Sequence, residues 1–189
     1  MVPEGIIIDP GDEAGAILER VGELGIGIKY ILLTHGHLDH IAATADIKEA
    51  TGASMVVHTE EADSLNDKTL GLFMGVTLPK VPKSDWRLRG WESIEFGSLS
   101  FTVLHTPGHS PGGICLLGED ALFSGDTLFY RGIGRSDLPG GDPEKLLQSI
   151  HTRLLILPDE TVVYPGHGPQ TNIGDERRSN PFLQDQPEF

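Results

Sequence analysis

The feature that most constrains the fold is a dense polar cluster that directly follows a short apolar segment. His35, His37, Asp39 and His40 fall within six residues, and residues 28–33 before them are mostly apolar. Neutral imidazole and carboxylate are groups that bind zinc, iron and manganese. An apolar run of this length predicts a buried strand, and α/β folds place their sites at the carboxyl ends of such strands. The cluster therefore predicts a metal site at a strand end.

The first third of the chain alternates between strand and helix patterns. Residues 6–8, 28–33 and 54–58 are short apolar runs that predict strands. Between them, residues 12–25 and 41–52 have apolar positions at helical spacing, each ending at a glycine, and an aspartate at the start of the first could cap it. This alternation predicts a βαβαβ unit with parallel strands and right-handed crossovers.

The rest of the chain changes character. Residues 60–83 have no clear period, which favours a helix and loop packed over the core or a lid over the metal site. Residues 92–105 and 113–124 predict two hairpins, residues 142–154 predict a helix capped by an aspartate, and residues 161–164 predict the last strand. These elements suggest two stacked sheets with helices outside, in a single domain over 1–189.

Composition narrows the function classes. The 189 residues have a net charge of −14, which repels a nucleic-acid backbone and argues against a nuclease. Cys115 is the one cysteine, which rules out an internal disulfide and suits a reducing compartment. No apolar run reaches the length of a membrane span, and the N-terminus does not resemble a signal peptide. We therefore expect a soluble, cytoplasmic protein without a nucleic-acid or membrane partner.

Three further candidate ligands follow other predicted strands. His109 lies in a Thr-Pro-Gly-His-Ser segment, Asp126 in Ser-Gly-Asp-Thr, and His167 in Tyr-Pro-Gly-His-Gly. Each stands beside a glycine, which lets the backbone turn sharply at a strand end. Four strand-end sites of one design in one chain indicate a larger metal centre than the first cluster alone.

Together these motifs resemble those of the metallo-beta-lactamase superfamily over nearly the whole chain. The resemblance implies an α/β (α+β) fold, a four-layer αββα sandwich, here without the pair of strands that usually precedes residues 6–8. It also implies a centre of two divalent metal ions, with zinc expected and iron or manganese as alternatives. The resemblance assigns His35, His37 and His109 to the first metal, Asp39, His40 and His167 to the second, and Asp126 to a bridge between them.

The resemblance also points to a branch of the superfamily. The best-known zinc β-lactamases have a cysteine where Asp126 stands, which argues against antibiotic hydrolysis. Residues 125–129 with Gly134 and Arg135 resemble glyoxalase II, or hydroxyacylglutathione hydrolase, and residues 165–182 resemble its short bacterial and archaeal forms. Arg135 would then bind the carboxylate of glutathione, although a surface ion pair is an equal alternative. We expect no C-terminal helical domain like that of the long enzymes, and Asp137 stands where they have a tyrosine, so the thiol part of the substrate stays open.

The resemblance implies hydrolysis of a small-molecule thioester of the S-acylglutathione type by a hydroxide held between two metals. Asp39 and Asp126 would be catalytic as well as metal-binding, and Asp9 would brace the ligand loop or simply form a turn. The alternative is a persulfide dioxygenase, a relative with one iron held by two His and one Asp. A non-catalytic binding module is disfavoured because all seven ligands are present. A second copy of the chain, in a homo-oligomer, could cover an open edge of the first sheet.

Overall fold

The computed structural model describes residues 2–65, 75 and 79–184. The chain forms two compact units: the first comprises Met1–Arg89 and Glu95–Leu99, and the second comprises Gly90–Ile94 and Ser100–Phe189. The single domain expected over 1–189 stays a prediction. The apolar residues on which the helix-and-loop or lid hypothesis for 60–83 depended lie outside the described residues: Leu70, Leu72, Phe73, Met74 and Val76.

The first unit contains a parallel sheet with helices between its strands. Among the described residues the strand order is β1-β2-β3-β4, and each neighbouring pair is parallel. This confirms the predicted βαβαβ unit. In chain order the elements are β1 (Glu4–Ile8), α1 (Ala14–Leu24), β2 (Gly27–Leu32), α2 (Leu38–Ile41), α3 (Thr44–Thr51), β3 (Ser54–His58), α4 (Thr59–Ser64) and β4 (Trp86–Leu88).

Two helix boundaries in this unit differ from the sequence prediction. Helix α1 begins one residue later than a cap at Asp12 requires: Glu13 is the cap residue, in a left-handed conformation at φ 52°, and its N–H donates to the Asp12 carboxylate at 2.7 Å. The helix predicted from residue 41 is observed as α3, which begins at Thr44, and a separate short helix, α2, precedes it. Asp39 and His40 consequently lie on α2, a short helix of their own.

The core of the first unit explains why its central strands are apolar throughout. The buried cluster contains Ile31 of β2, Leu33 directly after it, and Met55 and Val57 of β3. These side chains pack with Ile47 of α3. Helix α1 adds partly buried apolar residues to the same cluster. Because parallel strands are covered on both faces, their sequence is a continuous apolar run rather than an alternating one.

The second unit contains most of a mixed sheet. Its strand order among the described residues is β12-β11-β8-β7-β6-β5, with β6–β7 and β7–β8 antiparallel and β8–β11 parallel. The elements are β5 (Ser93–Phe96), β6 (Leu99–His105), β7 (Ile114–Leu117), β8 (Ala121–Gly125), β9 (Leu128–Phe129), β10 (Gly132–Ile133), α5 (Pro143–Ser149), a π-helical turn (Ile150–Leu154), β11 (Val162–Pro165), β12 (Thr171–Asn172) and α6 (Ile173–Ser179).

The structure confirms the second predicted hairpin and the cap of α5. Strands β7 and β8 are antiparallel neighbours, and one carboxylate oxygen of Asp142 accepts hydrogen bonds from the N–H groups of Glu144 and Lys145. The small β9–β10 hairpin, strand β12 and helix α6 were not predicted. None of the helices in the described residues has the length and apolar character needed to cross a membrane.

Candidate metal centre

The polar cluster of the first unit lies where the sequence placed it, after β2. His35 and His37 lie on the loop that follows β2, and Asp39 and His40 lie on α2. The His35 ring centroid is 4.7 Å from that of His37 and 4.1 Å from that of His40. His35 and His40 are buried, whereas 59% of the Asp39 side chain is exposed. The structure therefore brings these four side chains together, with one carboxylate open to solvent.

A chain of hydrogen bonds orients His35. Thr34 donates from its backbone N–H and from Oγ1 to the two carboxylate oxygens of Asp9, at 2.6 and 2.5 Å. Because the hydroxyl hydrogen is used on Asp9, Thr34 Oγ1 acts as the acceptor towards Nδ1 of His35, 3.0 Å away. A protonated Nδ1 places the lone pair of the neutral ring on Nε2. His35 is thus prepared to bind a metal through Nε2.

His40 is oriented in the same way. Its Nδ1 lies 3.0 Å from Oδ2 of Asp9, and a carboxylate acceptor there again places the lone pair on Nε2. Its Nε2 is 3.8 Å from Oδ2 of Asp39. Two ligands about 2.1 Å from a tetrahedral metal are about 3.4 Å apart, so this spacing fits a shared ion better than a hydrogen bond. A carboxylate that accepts a hydrogen bond from the other ring nitrogen, as Asp9 does here, is typical of metal-binding histidines.

The turn that carries Asp9 packs directly against α2. A Cβ on Gly11 would lie 1.8 Å from the backbone oxygen of Asp39, so only glycine fits there. Pro10 accepts a hydrogen bond from the N–H of Ala43 at 3.0 Å, and Asp9 itself is left-handed at φ 49°. Asp9 is therefore a turn residue as well as a hydrogen-bond partner, and both alternatives from the sequence describe part of it.

The second unit gathers the other three candidate ligands. His109 follows β6, Asp126 follows β8 and His167 follows β11. Oδ2 of Asp126 is 3.7 Å from Nε2 of His109 and 3.6 Å from Nε2 of His167. These distances are again too long for hydrogen bonds and close to the spacing of ligands around a metal. His109 and Asp126 are largely buried, and 55% of the His167 side chain is exposed.

A backbone group orients His109. Its Nδ1 lies 2.7 Å from the carbonyl oxygen of Arg135, and because a carbonyl only accepts, Nδ1 carries the hydrogen. The lone pair is then on Nε2, which faces Asp126. The donor types, their spacing and the ring orientation in each unit therefore fit a metal ion.

Two glycines permit the loops of the second unit to approach each other. A Cβ on Gly134 would lie 1.9 Å from the backbone oxygen of Asp126. A Cβ on Gly108, at φ 136°, would lie 2.2 Å from the backbone nitrogen of Leu146. Both positions therefore need glycine on steric grounds. Gly134 belongs to a sequence motif, but no local pattern in the sequence indicates this close contact.

Arg135 forms the ion pair that the sequence left open. Its guanidinium donates to both carboxylate oxygens of Asp137 at 2.8 Å, and both side chains are exposed. The hydrogen bonds from Arg135 lower the pKa of Asp137 to about 2, and the same contact raises the pKa of Arg135. A substrate carboxylate would have to share or displace this partner.

Cys115 lies behind the ligand loops of the second unit. Its Sγ is 3.3 Å from Oγ1 of Thr106, which in turn is 3.2 Å from Oγ1 of Thr127. Burial raises the pKa of the thiol to about 11, and the two threonine hydroxyls lower it by less. The thiol is therefore protonated at neutral pH, as expected for a small buried residue.

Comparison with known proteins agrees with the motifs. The family model of the metallo-beta-lactamase superfamily matches residues 4–167 of this chain. This chain belongs to the metallo-beta-lactamase superfamily. It is 40% identical over 182 residues to hydroxyacylglutathione hydrolase GloC of Haemophilus influenzae, covering 94% of this chain and 86% of GloC.

Solved structures place the fold in the same superfamily. The crystal structure of BLEG-1 B3 metallo-beta-lactamase matches with a TM-score of 0.91 and 41% identity, over 96% of this chain and 90% of that one. TTHA1623 in a di-iron-bound form matches with a TM-score of 0.83 and 42% identity, over 93% and 88%. The α/β fold class and the superfamily expected from the motifs are thereby confirmed.

Membership makes the chain a metallohydrolase of this superfamily, which takes a small-molecule substrate. Its His and Asp clusters are compatible with two metal ions, whose identity is open. The role of each candidate residue stays a prediction, as do the cytoplasmic location and a homo-oligomer.

Proposed function

We propose that this protein hydrolyses a thioester of the S-acylglutathione type at a centre of two divalent metal ions. His35, His37 and His109 would hold the first ion, Asp39, His40 and His167 the second, and Asp126 would bridge them. The observation that carries the two-metal proposal is the position of Asp126 Oδ2, which lies within 3.7 Å of Nε2 on both His109 and His167. The 40% identity to GloC and the Gly-Asp-Thr-Leu-Phe segment support the choice of thioester.

The reaction adds water to the thioester carbonyl: a C–O bond forms, the C–S bond breaks, and a proton passes to the leaving thiolate. Two bound ions would lower the pKa of a water between them and polarise the thioester carbonyl. Asp39, with its exposed carboxylate, would accept a hydrogen bond from the attacking water and orient it. Asp9 and the Arg135 carbonyl keep the histidine rings in their metal-binding orientation.

The first test combines metal analysis with a hydrolysis assay on S-lactoylglutathione. We expect two metal ions per chain and release of glutathione in the wild type. Asp126→Ala should lose at least one metal and turnover, because it removes the shared ligand. Asp12→Ala, which removes an exposed carboxylate near the turn of Asp9, serves as the control and should behave as the wild type. Near-normal turnover in Asp126→Ala would contradict the assignment.

Arg135 offers a test of the thiol moiety. If its guanidinium binds a glutathione carboxylate, Asp137 is its competitor, since it occupies both donor positions in the ion pair. Asp137→Ala should then lower KM and Arg135→Ala should raise it, with kcat little changed in both. Equal KM values in the two variants and the wild type would mean that the pair only stabilises the surface.

Hydrolysis of β-lactams is a second candidate, favoured by one comparison. Asp126 argues against it, because the best-known zinc β-lactamases have a cysteine at that position. However, BLEG-1, described as a B3 metallo-beta-lactamase, is 41% identical to this chain. A chromogenic cephalosporin in the same assay distinguishes the two: hydrolysis faster than that of the thioester would replace the leading proposal.

The persulfide dioxygenase stays the alternative in another reaction class. It would use a single iron held by two histidines and one aspartate, so metal content separates it from the hydrolase. One iron per chain, with oxygen consumed after glutathione persulfide is added, would favour the dioxygenase. The position of His167 beside Asp126 supports a second metal site and therefore hydrolysis.

A further inference from the structure

A buried carboxylate on α6 has no part in the mechanism proposed above. Glu176 is fully buried. Its Oε1 accepts a hydrogen bond from Oγ1 of Thr171 at 2.6 Å, and its Oε2 accepts one from Nδ2 of Asn180 at 2.7 Å and one from the backbone N–H of Arg131 at 2.9 Å. Burying a carboxylate is costly unless hydrogen bonds replace those to water. The three hydrogen bonds to Glu176 supply that compensation.

The network holds the tip of the β9–β10 hairpin. Glu176 binds the N–H of Arg131, and Asn180, also fully buried, donates to the carbonyl of Gly132 at 3.0 Å. Arg131 is left-handed at φ 53°, a conformation that a residue with a side chain keeps only when its surroundings enforce it. Two side chains of the C-terminal segment therefore determine the conformation of a turn more than 40 residues earlier.

The same hairpin contacts all three candidate ligands of the second unit. Gly134, at its end, packs so tightly on Asp126 that a Cβ would meet the backbone oxygen at 1.9 Å. The next carbonyl, that of Arg135, accepts from Nδ1 of His109. On β9, the Phe129 ring lies edge-on to the His167 ring with centroids 6.3 Å apart. A shift of this hairpin would move the donor atoms of all three ligands.

We propose that Glu176 and Asn180 are positioning residues for the metal centre: by anchoring the β9–β10 hairpin they orient His109, Asp126 and His167. The inference rests on the proposed function, since it assumes that these three side chains bind metal. It adds a remote carboxylate and amide to the residues on which metal affinity depends.

The test compares Co²⁺ binding to the purified, metal-stripped full-length chain and three variants. Glu176→Ala removes the anchor of Arg131. Glu176→Gln keeps an acceptor for Arg131 and Asn180 and can donate its amide to Thr171. Thr171→Val is the matched control, because it breaks the same buried network without touching the hairpin. Circular dichroism verifies folding, and the visible spectrum of bound Co²⁺ reports ligand geometry.

We expect Glu176→Ala to bind Co²⁺ about 10 to 100 times more weakly and with an altered spectrum, as is typical when a supporting hydrogen bond behind metal ligands is lost. Glu176→Gln and Thr171→Val should keep the wild-type spectrum and bind within about threefold of wild type. Hydrogen exchange in peptides spanning 126–135, measured without metal, should be faster in Glu176→Ala alone.

Wild-type affinity and spectrum in Glu176→Ala would overturn the inference, as would an equal loss in Thr171→Val, which would indicate a purely structural role. If Glu176→Ala does not fold, Asn180→Ala is judged by the same criteria, because it removes the bond to Gly132. A wild-type chain that binds no Co²⁺ would overturn the proposed function with the inference. Normal binding in the wild type and in Glu176→Ala would overturn the inference alone.

Discussion

At the scale of single residues, the recurring device is a hydrogen bond that determines which histidine nitrogen can bind metal. Thr34, Asp9 and the carbonyl of Arg135 each engage an Nδ1 atom, on His35, His40 and His109 respectively. Each acceptor keeps the hydrogen on Nδ1 and leaves the lone pair on Nε2. These acceptors are thus as much a part of the candidate centre as the ligands.

Asp9 gives the first prediction at this scale. Asp9→Ala removes the acceptor for His40 and for both donors of Thr34, so the rings of His40 and His35 can rotate. We expect metal affinity to fall about 10- to 100-fold, measured by competition with a chromogenic chelator. Asp12→Ala is the control. Equal affinity in the two variants would mean that Asp9 serves only the turn.

Cys115 gives a prediction about pH. Burial raises the pKa of its thiol to about 11 from the ordinary value of 9.0. Between these values the thiol of the unfolded chain loses its proton and the thiol of the folded chain keeps it. The stability that depends on the protonated thiol is therefore fully present below pH 9 and is lost as pH rises from 9 through 11. Each pKa unit corresponds to about 1.4 kcal/mol.

The measurement is denaturant unfolding at several pH values from 8 to about 11, with Cys115→Ser as the reference. The wild type should lose more stability over this range than the serine variant, because serine does not ionise there. The native thiol should also react slowly with a disulfide reagent at pH 8 and fully after unfolding. Parallel stability curves would contradict the burial argument.

At the scale of elements, the candidate ligands follow strand ends: Asp39 and His40 lie on α2 after β2, and the other five lie on loops. Close backbone contacts at glycines shape two of these segments. Gly11 against Asp39 and Gly134 against Asp126 are two such contacts. Strand ends hold the loops because the strands are tied into sheets, and glycine lets neighbouring segments meet without a side chain between them. A change at such a glycine should act through the ligand beside it.

Gly134→Ala tests this point. Its new Cβ would require the Asp126 backbone to move, because the available distance is 1.9 Å. We expect a loss of about 1–3 kcal/mol in the free energy of unfolding, as for other overpacked sites, together with weaker metal binding. Gly15→Ala on the exposed face of α1 meets nothing within 4 Å and should instead stabilise the chain by about 0.5–1 kcal/mol. Denaturant unfolding of both variants measures the difference.

At the scale of the whole molecule, metal binding and stability should be coupled. The proposed ligands span the sequence from His35 to His167, so ions held by them would restrain segments that are far apart in the chain. The net charge of −14 adds to this, because two divalent cations reduce the repulsion among carboxylates.

Chelation should therefore lower the melting temperature. An ion present at 1,000 times its Kd stabilises the folded state by about 4.1 kcal/mol, and each kcal/mol shifts the Tm of a chain of this size by about 2–4 °C. We expect a chelator to lower Tm by roughly 8–16 °C for each ion removed. Asp126→Ala should show a smaller shift, and an unchanged Tm in the chelated wild type would contradict the two-metal proposal.

Much of this architecture could be predicted from local patterns. Apolar runs at 28–33 and 54–58 predicted β2 and β3, and the alternation with helices predicted their parallel pairing. The short helix α2 and the β9–β10 hairpin could not be predicted, because two- to four-residue elements have no period to detect.

The sequence by itself determined which side chains are candidate metal ligands, because residue type and position after a strand are local properties. Only the tertiary structure decided which nitrogen is available on His35, His40 and His109, that Arg135 is paired with Asp137, and that Glu176 contacts a distant hairpin. The physical reason is that these outcomes depend on backbone acceptors and buried partners. Asp9 and His40 are 31 positions apart, and His109 and Arg135 are 26 apart, and a carbonyl group has no signature in the sequence.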